Sequence, residues 1–337
     1  MTSSSGTNTS NDPGDTRPTR QLDWYRENEI PGAQHPLGHF GVVPVATSIP
    51  ECIWIAQAIA KAANHNGICG WRGQANSDWA VESGAARRVQ LPWAEHFGRD
   101  KENVDKMLAD FGFADTEESS ATTPGSPEHD HAVRGYERLL LDEARVNGFG
   151  YHDGRQLSDL ELLANLQHHG AATSLLDITK NLLVALWMAA SEEYEKPGVV
   201  IAFGQSALRT LSADQAQKPL PVLHDSMRKE NRRAGYWVPS KLNLRIVAQS
   251  GFFLLSPIAD QPWGTVNLRG SYLWETEENA VVEDPDCYFI GVTPDLKSQM
   301  RDAQKFGLLP YAQNTIYPDL SGFAEYHSAR RDVPFRR

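Results

Sequence analysis

Hydrophobic positions fall into two regimes along this chain. Up to about residue 194 they recur at helical spacing. Ile55, Ala58, Ile59 and Ala62 do so over Pro50 to Asn64 with Trp54 beside the stripe, and Leu139, Leu140 and Ala144 over Tyr136 to Val146. Leu160, Leu162, Leu163 and Leu166 repeat the pattern over Asp159 to His168, and Leu183, Leu186, Trp187 and Ala190 over Asn181 to Tyr194. Steps of three and four place each set on one face of a helix. Thereafter the apolar residues come as short runs bounded by Gly, Pro or Asp: Val199 to Phe203, Arg245 to Ala248, Phe252 to Leu255 and Tyr288 to Val292. Such runs predict strands. Gly67 to Gly73 reads as one more strand, and Asp295 to Phe306 and Leu320 to Arg330 as closing helices. Helices first and strands later predict an α+β fold, a mostly antiparallel or mixed sheet with helices packed on it.

The polar segments set the expected boundaries. Residues 1–45 are rich in Ser, Thr, Asn, Asp, Gly and Pro, and read as a disordered tail that cannot bury enough apolar surface to offset chain entropy. The folded part is expected over residues 46–332, with a polar surface insertion at about 113–132. At 337 residues, with 40% hydrophobic and 22% charged positions, the chain can bury a substantial core. A net charge of -11 argues against a broadly basic nucleic-acid surface, although a local basic groove remains compatible with it. Three scattered cysteines and no secretory leader predict a reducing, cytoplasmic setting. The longest apolar stretch, Leu182 to Ala190, is half of the ~18 residues a membrane span needs.

Three segments carry unusual polar chemistry. In Trp71-Arg72-Gly73-Gln74 an arginine stands at the end of an apolar strand, where a guanidinium needs a partner. Arg72 either grips a phosphate or carboxylate with parallel hydrogen bonds or pairs with an internal carboxylate such as Asp177. Gly73 lets another backbone or a ligand come close. The second segment, Gln167 to Thr179, ends one helix, turns at Gly170 and leads to the next helix, with Asp177, Thr179 or Asn181 as its cap. Its hydroxyls and carboxylate also crowd a helix N-terminus of the kind that attracts phosphate. In the third, Arg245 and Gln249 share one face of an expected strand, and Gly251 permits a bulge before Phe252 and Phe253. The clusters Glu128-His129-Asp130-His131 and His168-His169 read as solvated histidines, since adjacent helical residues point about 100° apart and do not share an ion easily. No dinucleotide-binding glycine motif, phosphate loop, zinc-protease motif or nucleophile elbow is present.

In this order the segments resemble the FRG domain family over roughly residues 48 to 330. Trp71-Arg72-Gly73-Gln74 stands where that family has Phe or Tyr before Arg-Gly. Gln167-His168-His169-Gly170 and Thr173-Ser174-Leu175-Leu176-Asp177-Ile178-Thr179 resemble its Q-H-[YH]-G and T-x-L-L-D-x-T, and Asn181 to Leu186 the helix that follows. Arg245 to Gly251 resembles R-[IV]-x-x-Q-x-G, and Thr315 to Leu320 the closing T-[LI]-[FY]-P-D-L. Trp71 replaces the usual Phe or Tyr, and Ser174 sits where a basic residue is common.

A looser resemblance is to ADP-ribosyltransferases of the Arg-Ser-Glu type, and it implies an ADP-ribosyltransferase-like layout with NAD as substrate and no metal. On it Arg72, flanked by Gly73 and Gln74, grips the pyrophosphate, and Thr173, Ser174 or Thr179 orients the nicotinamide ribose. His168 and Arg245 complete the cofactor-binding set. Gln249 stands where those enzymes carry a catalytic glutamate, and Asp177 is the carboxylate available in its place. The implied partner is a macromolecular acceptor, protein or nucleic acid, modified by a toxin or phage-defence effector. The alternative is a non-catalytic module that binds a nucleotide or a peptide carboxylate in the same Arg72 pocket.

Overall fold

The computed structural model describes residues 21–63, 67–90, 123–229, 233–239, 244–274 and 285–327. Its centre is a nine-stranded mixed sheet. In chain order the strands are β1 (Ala33–Pro36), β2 (Val42–Ala46), β3 (Ile68–Gln74), β4 (Leu176–Thr179), β5 (Gly198–Gly204), β6 (Leu208–Thr210), β7 (Ala234–Trp237), β8 (Gly251–Leu255) and β9 (Cys287–Val292). Across the sheet they run β1-β2-β9-β5-β3-β4-β8-β7-β6. Neighbours pair antiparallel except β2 with β9 and β6 with β7. The α+β class expected from the sequence is the one observed.

Helix α1 (Ile49–Ala62) starts where Ser48 Oγ accepts from Glu51 N at 3.3 Å, and it buries Cys52, Ile55, Ala56 and Ile59. Helices α2 (Gly84–Gln90), α3 (Pro127–Val146) and α4 (Asp159–His168) follow. A capping box between Ser158 and Glu161 opens α4. Helix α5 (Leu182–Ala190) is apolar nearly all round and is capped by Asn181, whose Oδ1 accepts from Leu183 N. Of the three expected caps it is therefore Asn181 that serves, while Asp177 and Thr179 lie in β4. Helices α6 (Leu220–Lys229), α7 (Leu244–Ala248), α8 (Pro294–Lys305), α9 (Gln313–Ile316) and α10 (Leu320–Tyr326) complete the frame. Among the described residues, no helix is long and apolar enough to cross a membrane.

Side-chain alternation on β8 separates two cores. Phe252 and Leu254 join the main cluster with α5 and β5, whereas Phe253 and Leu255 join a second cluster with Leu160, Leu163 and Leu223 from α4 and α6. On β4, Leu176 and Ile178 likewise belong to the main cluster, so Asp177 between them faces away from it. Helix α5 lies unusually close to β3: a Cβ built on Gly73 would sit 1.8 Å from the Ala185 carbonyl oxygen. The glycine beside Arg72 thus admits another backbone.

Three expectations are corrected. The tail drawn over residues 1–45 is too long. Trp24, Tyr25, Phe40 and Val43 are buried, residues 33–46 supply β1 and β2, and Tyr25 Oη donates to the Phe289 carbonyl at 2.9 Å. Residues 1–20 lie outside the described residues. The first half of the polar insertion at 113–132, residues 113–122, lies outside them too, and its end, from Pro127, is the start of α3. There His129 is buried, with Nδ1 accepting from Gly125 N and Nε2 within 3.0 Å of the Ala86 carbonyl, so it is no solvated histidine. Finally, Leu244–Ala248 is a helical turn instead of a strand. Arg245 and Gln249 still share a face, because four residues make about one helical turn.

One buried cation ties the frame together. Lys297 on α8 is fully buried and donates through Nζ to the carbonyls of Ala75, Glu192 and Glu193, at 2.5, 3.2 and 2.8 Å. Desolvation lowers its pKa to about 8. Lys297→Met should orphan these three carbonyls and cost about 3 kcal/mol, read as a lower urea midpoint. A midpoint unchanged from wild type would show that the bonds are offset by the cost of burying the charge.

Candidate functional site

The five motifs singled out in the sequence meet at one cleft of about 340 Å³. Strand β3 brings Arg72, the end of α4 brings Gln167 and His168, and β4 brings Asp177. Arg245 and Gln249 come from α7 and the residue after it, and Tyr317 from the segment after α9. A second hollow of about 290 Å³, floored by Gly84, Gly170 and Thr173, shares Arg72, Arg87, Gln167 and Asp177 with the first. Arg72 and Asp177 therefore stand on the ridge between two lobes.

Backbone pairing explains that ridge. Strands β3 and β4 pair only at Trp71 with Thr179. Beyond that pair the guanidinium of Arg72 bridges the strands, Nη1 donating to the Asp177 main-chain carbonyl at 2.9 Å. Its Nε is shut from solvent and makes no hydrogen bond. Desolvation lowers the Arg72 pKa, Asp177 raises it and Arg87 lowers it further. The Asp177 carboxylate is reached by solvent through the cleft mouth, yet its concave surroundings push its pKa up against the pull of Arg72 and of Gln167. Gln167 Nε2 donates to Asp177 Oδ2 at 2.9 Å, and Gln167 Oε1 accepts from the Thr173 hydroxyl. The arginine is thus neither a plain internal ion pair nor a free grip: it is braced by the Asp177 backbone beside an ionisable carboxyl.

On the opposite wall Arg245 is already engaged. Its Nε and Nη2 bond Asp319 Oδ2 and Oδ1 at 2.9 and 3.1 Å, and its guanidinium lies 4.6 Å over the Tyr317 ring. Asp319 also stands 3.7 Å from His168 Nε2. Desolvation and Arg245 hold the His168 pKa below its ordinary value against the pull of Asp319. His168 is enclosed in the wall and not a solvated histidine. Gln249 is 9% exposed, and its Nε2 donates to the Ile316 carbonyl at 3.2 Å while its own carbonyl accepts from Thr179 Oγ1 at 2.6 Å.

The remaining expected residues fall in three places. Gln74 lines the cleft, but its amide donates to the carbonyls of Asn76 and Trp79 and so shapes the turn after β3. Thr173 lines the second lobe, and Thr179 is tied to Gln249 and to Asn181 N. Ser174 turns away from the cleft into the interior, where its backbone N donates to Glu137 Oε1 at 2.7 Å. Gln167, Arg87 and Asp319 are the residues that sequence reasoning passed over. Gln167 and Asp319 were in the quoted motifs without a role, while Arg87 on α2 belonged to no motif at all.

The Glu137 beneath Ser174 makes a titratable pair with His224, Oε2 to Nε2 at 3.9 Å. Burial raises the Glu137 pKa from 4.5 to about 7 and lowers that of His224 from 6.5 to about 4. Between pH 4.5 and 7 folded Glu137 keeps a proton that the unfolded chain releases, so it makes stability fall as pH rises. Between pH 4 and 6.5 His224 works the other way, because the unfolded ring takes up a proton that the folded ring refuses. The two slopes offset in the wild type. Relative to it, Glu137→Gln should tilt the stability profile upward with pH and His224→Gln downward, each by at most ~1.4 kcal/mol per pH unit. Urea titrations at about pH 5, 6 and 7 would separate the pair, and slopes of the same sign in both variants would refute the coupling.

Comparison with known proteins adds one match. The sequence model of the FRG domain fits residues 68–197. That segment runs from β3 to the end of the α5–β5 connection and contains Arg72, Gln167, His168 and Asp177, whereas Arg245, Gln249, Tyr317 and Asp319 lie beyond it. No curated protein and no solved structure matches the chain. The half of the cleft that holds Arg72 and Asp177 is thus built by an FRG domain, and this chain carries one over residues 68–197.

Proposed function

We propose that the cleft binds a nucleotide of the NAD class and that the protein transfers ADP-ribose from it to a protein or nucleic-acid acceptor. One observation carries this reading: a partly unsatisfied guanidinium and an ionisable carboxyl share the ridge between two lobes. Arg72, with Arg87 beside it, suits a pyrophosphate, which takes paired N–H donors. The two lobes suit a ligand with a group on either side of its phosphates.

In the transfer step the bond between ribose C1′ and the nicotinamide nitrogen breaks, and nicotinamide leaves with the electron pair. A nucleophile on the acceptor bonds C1′ and gives its proton to a base. Positive charge develops on the ribose, and a carboxylate nearby stabilises it. Asp177 is the carboxylate on the ridge, whereas Gln249 can offer only a hydrogen bond. No metal enters this scheme. Incubating the chain with labelled NAD and lysate protein or nucleic acid should release nicotinamide and transfer label. Asp177→Asn should reduce both at least ~100-fold. Wild-type protein that releases no nicotinamide with either acceptor class would sink the reading.

A non-catalytic nucleotide-binding module is the second reading. The geometry of Gln249 favours it, since the amide at the expected glutamate position already braces Ile316. It predicts NAD-dependent thermal stabilisation with no turnover.

A further inference from the structure

A cavity of about 200 Å³ that shares no lining residue with the cleft or its second lobe opens between α3 and α6. Leu141, Leu220 and Pro221 give it an apolar lining, and Arg134 and Arg138 stand one helical turn apart on α3. His224 is its buried end, with 3% of the residue exposed. Neither ring nitrogen of His224 makes a hydrogen bond, and Arg134 Nη2 is buried without one. Buried donors of this kind are costly to leave unmade.

The surrounding charges narrow what fits. His224 is faced by Glu137 on α3 and by Arg134, Asp130, Arg228 and Asp225. Asp130 is already taken by Arg134, Arg228 and Ile258 N, and Asp159 by Arg145 and Leu220 N. Asp142 lies on the exposed rim. Asp130 and Asp159 are therefore spent, while an arginine N–H, a neutral imidazole and Glu137 Oε2 are not, and burial favours the protonated form of Glu137.

We infer that this cavity is a second ligand site, built for a small organic acid. Its carboxylate takes the Arg134 Nη2 and His224 N–H donors, and its apolar body lies against Leu141, Leu220 and Pro221. The assignment does not depend on what occupies the Arg72 cleft.

Benzoate is the probe, added to the full chain carrying Arg72→Ala so that the cleft does not compete for the anion. The His224 imidazole resonances, assigned by their loss in His224→Gln, are followed by NMR. Saturable shifts are expected, since an anion beside the ring alters its protonation. Inorganic phosphate, which lacks the apolar body, and benzyl alcohol, which lacks the charge, should each bind at least ~10-fold more weakly. Arg134→Gln should weaken benzoate at least ~10-fold. Arg138→Gln, at the exposed mouth, should weaken it a few-fold and guards against loss of fold in the buried variant. No saturable His224 shift with benzoate, or affinity for phosphate or benzyl alcohol equal to that for benzoate, overturns the assignment.

Discussion

Gly73→Ala is expected to leave little folded protein. The new methyl would be placed 1.8 Å from the Ala185 carbonyl oxygen and 2.7 Å from the Ala189 backbone nitrogen. Both belong to the backbone of α5, and β3 is hydrogen-bonded on both sides in the middle of the sheet. No flexible side chain can give way, so strand and helix must separate by more than an ångström. Ordinary overpacking costs about 1–3 kcal/mol, where side chains can shift. A clash between two central backbones should exceed ~4 kcal/mol, a large share of the ~5–15 kcal/mol that holds a domain. Gly170→Ala is the control. Gly170 has φ +92° and nothing within 4 Å of a built Cβ, so only backbone strain of about 1 kcal/mol is at stake. Urea unfolding of the two variants should differ several-fold in the stability lost. Equal and small losses would mean that α5 is not held where the structure has it.

That glycine shows which kind of information the sequence carried. A Gly between an arginine and a glutamine on an apolar strand signalled a close approach, but not whether ligand or backbone makes it. Central elements were legible because they are buried on a period: β5, β8 and β9 as apolar runs, α1, α4 and α5 as stripes. The sheet's edge was not. Strand β1, with the sequence Ala33-Gln34-His35-Pro36, has little to bury, and averaging composition over residues 1–45 hid Trp24, Tyr25 and Phe40. The α7 turn was misread because Ile246-Val247 is β-branched and a step of four keeps Arg245 and Gln249 on one face in either conformation.

The cleft was legible to a similar depth. Arg72, Asp177, His168, Arg245 and Gln249 do surround one space; the periodicity of β3, β4 and α4 directed the first three, while the step of four kept Arg245 and Gln249 together despite the misread α7. The roles were harder to see. Whether Arg245 meets a ligand or Asp319, 74 residues away, depends on tertiary contact and leaves no local trace. The same holds for Ser174, which a local count of hydroxyls placed with Thr173 although its neighbour across the interior is Glu137.

Arg72→Ala should reduce the cleft's affinity for NAD at least ~100-fold, with a modest loss of stability. The side chain gives one hydrogen bond to the protein, at the Asp177 carbonyl, so folding loses about 1–2 kcal/mol. Its other donors face the cleft or are unsatisfied. Paired charge-assisted bonds to a phosphate, made in a concave site, are worth about 3 kcal/mol or more. Arg72→Lys should recover only part of that, because an ammonium keeps the charge but not the planar fork that bridges β4 and a ligand at once. The carboxyl beside it supplies an independent reading. Arg72 is the main influence holding the Asp177 pKa down against desolvation. Its removal should therefore raise that pKa further, and any activity that needs the Asp177 carboxylate should have its acid limb moved to higher pH. Calorimetric titration with NAD measures the first effect and the pH profile of nicotinamide release the second. Wild-type NAD affinity in Arg72→Ala would remove the arginine from the binding site. Reduced affinity without a shifted acid limb would keep it there but detach Asp177 from the chemistry, which is the point on which the transferase and binding-module readings divide.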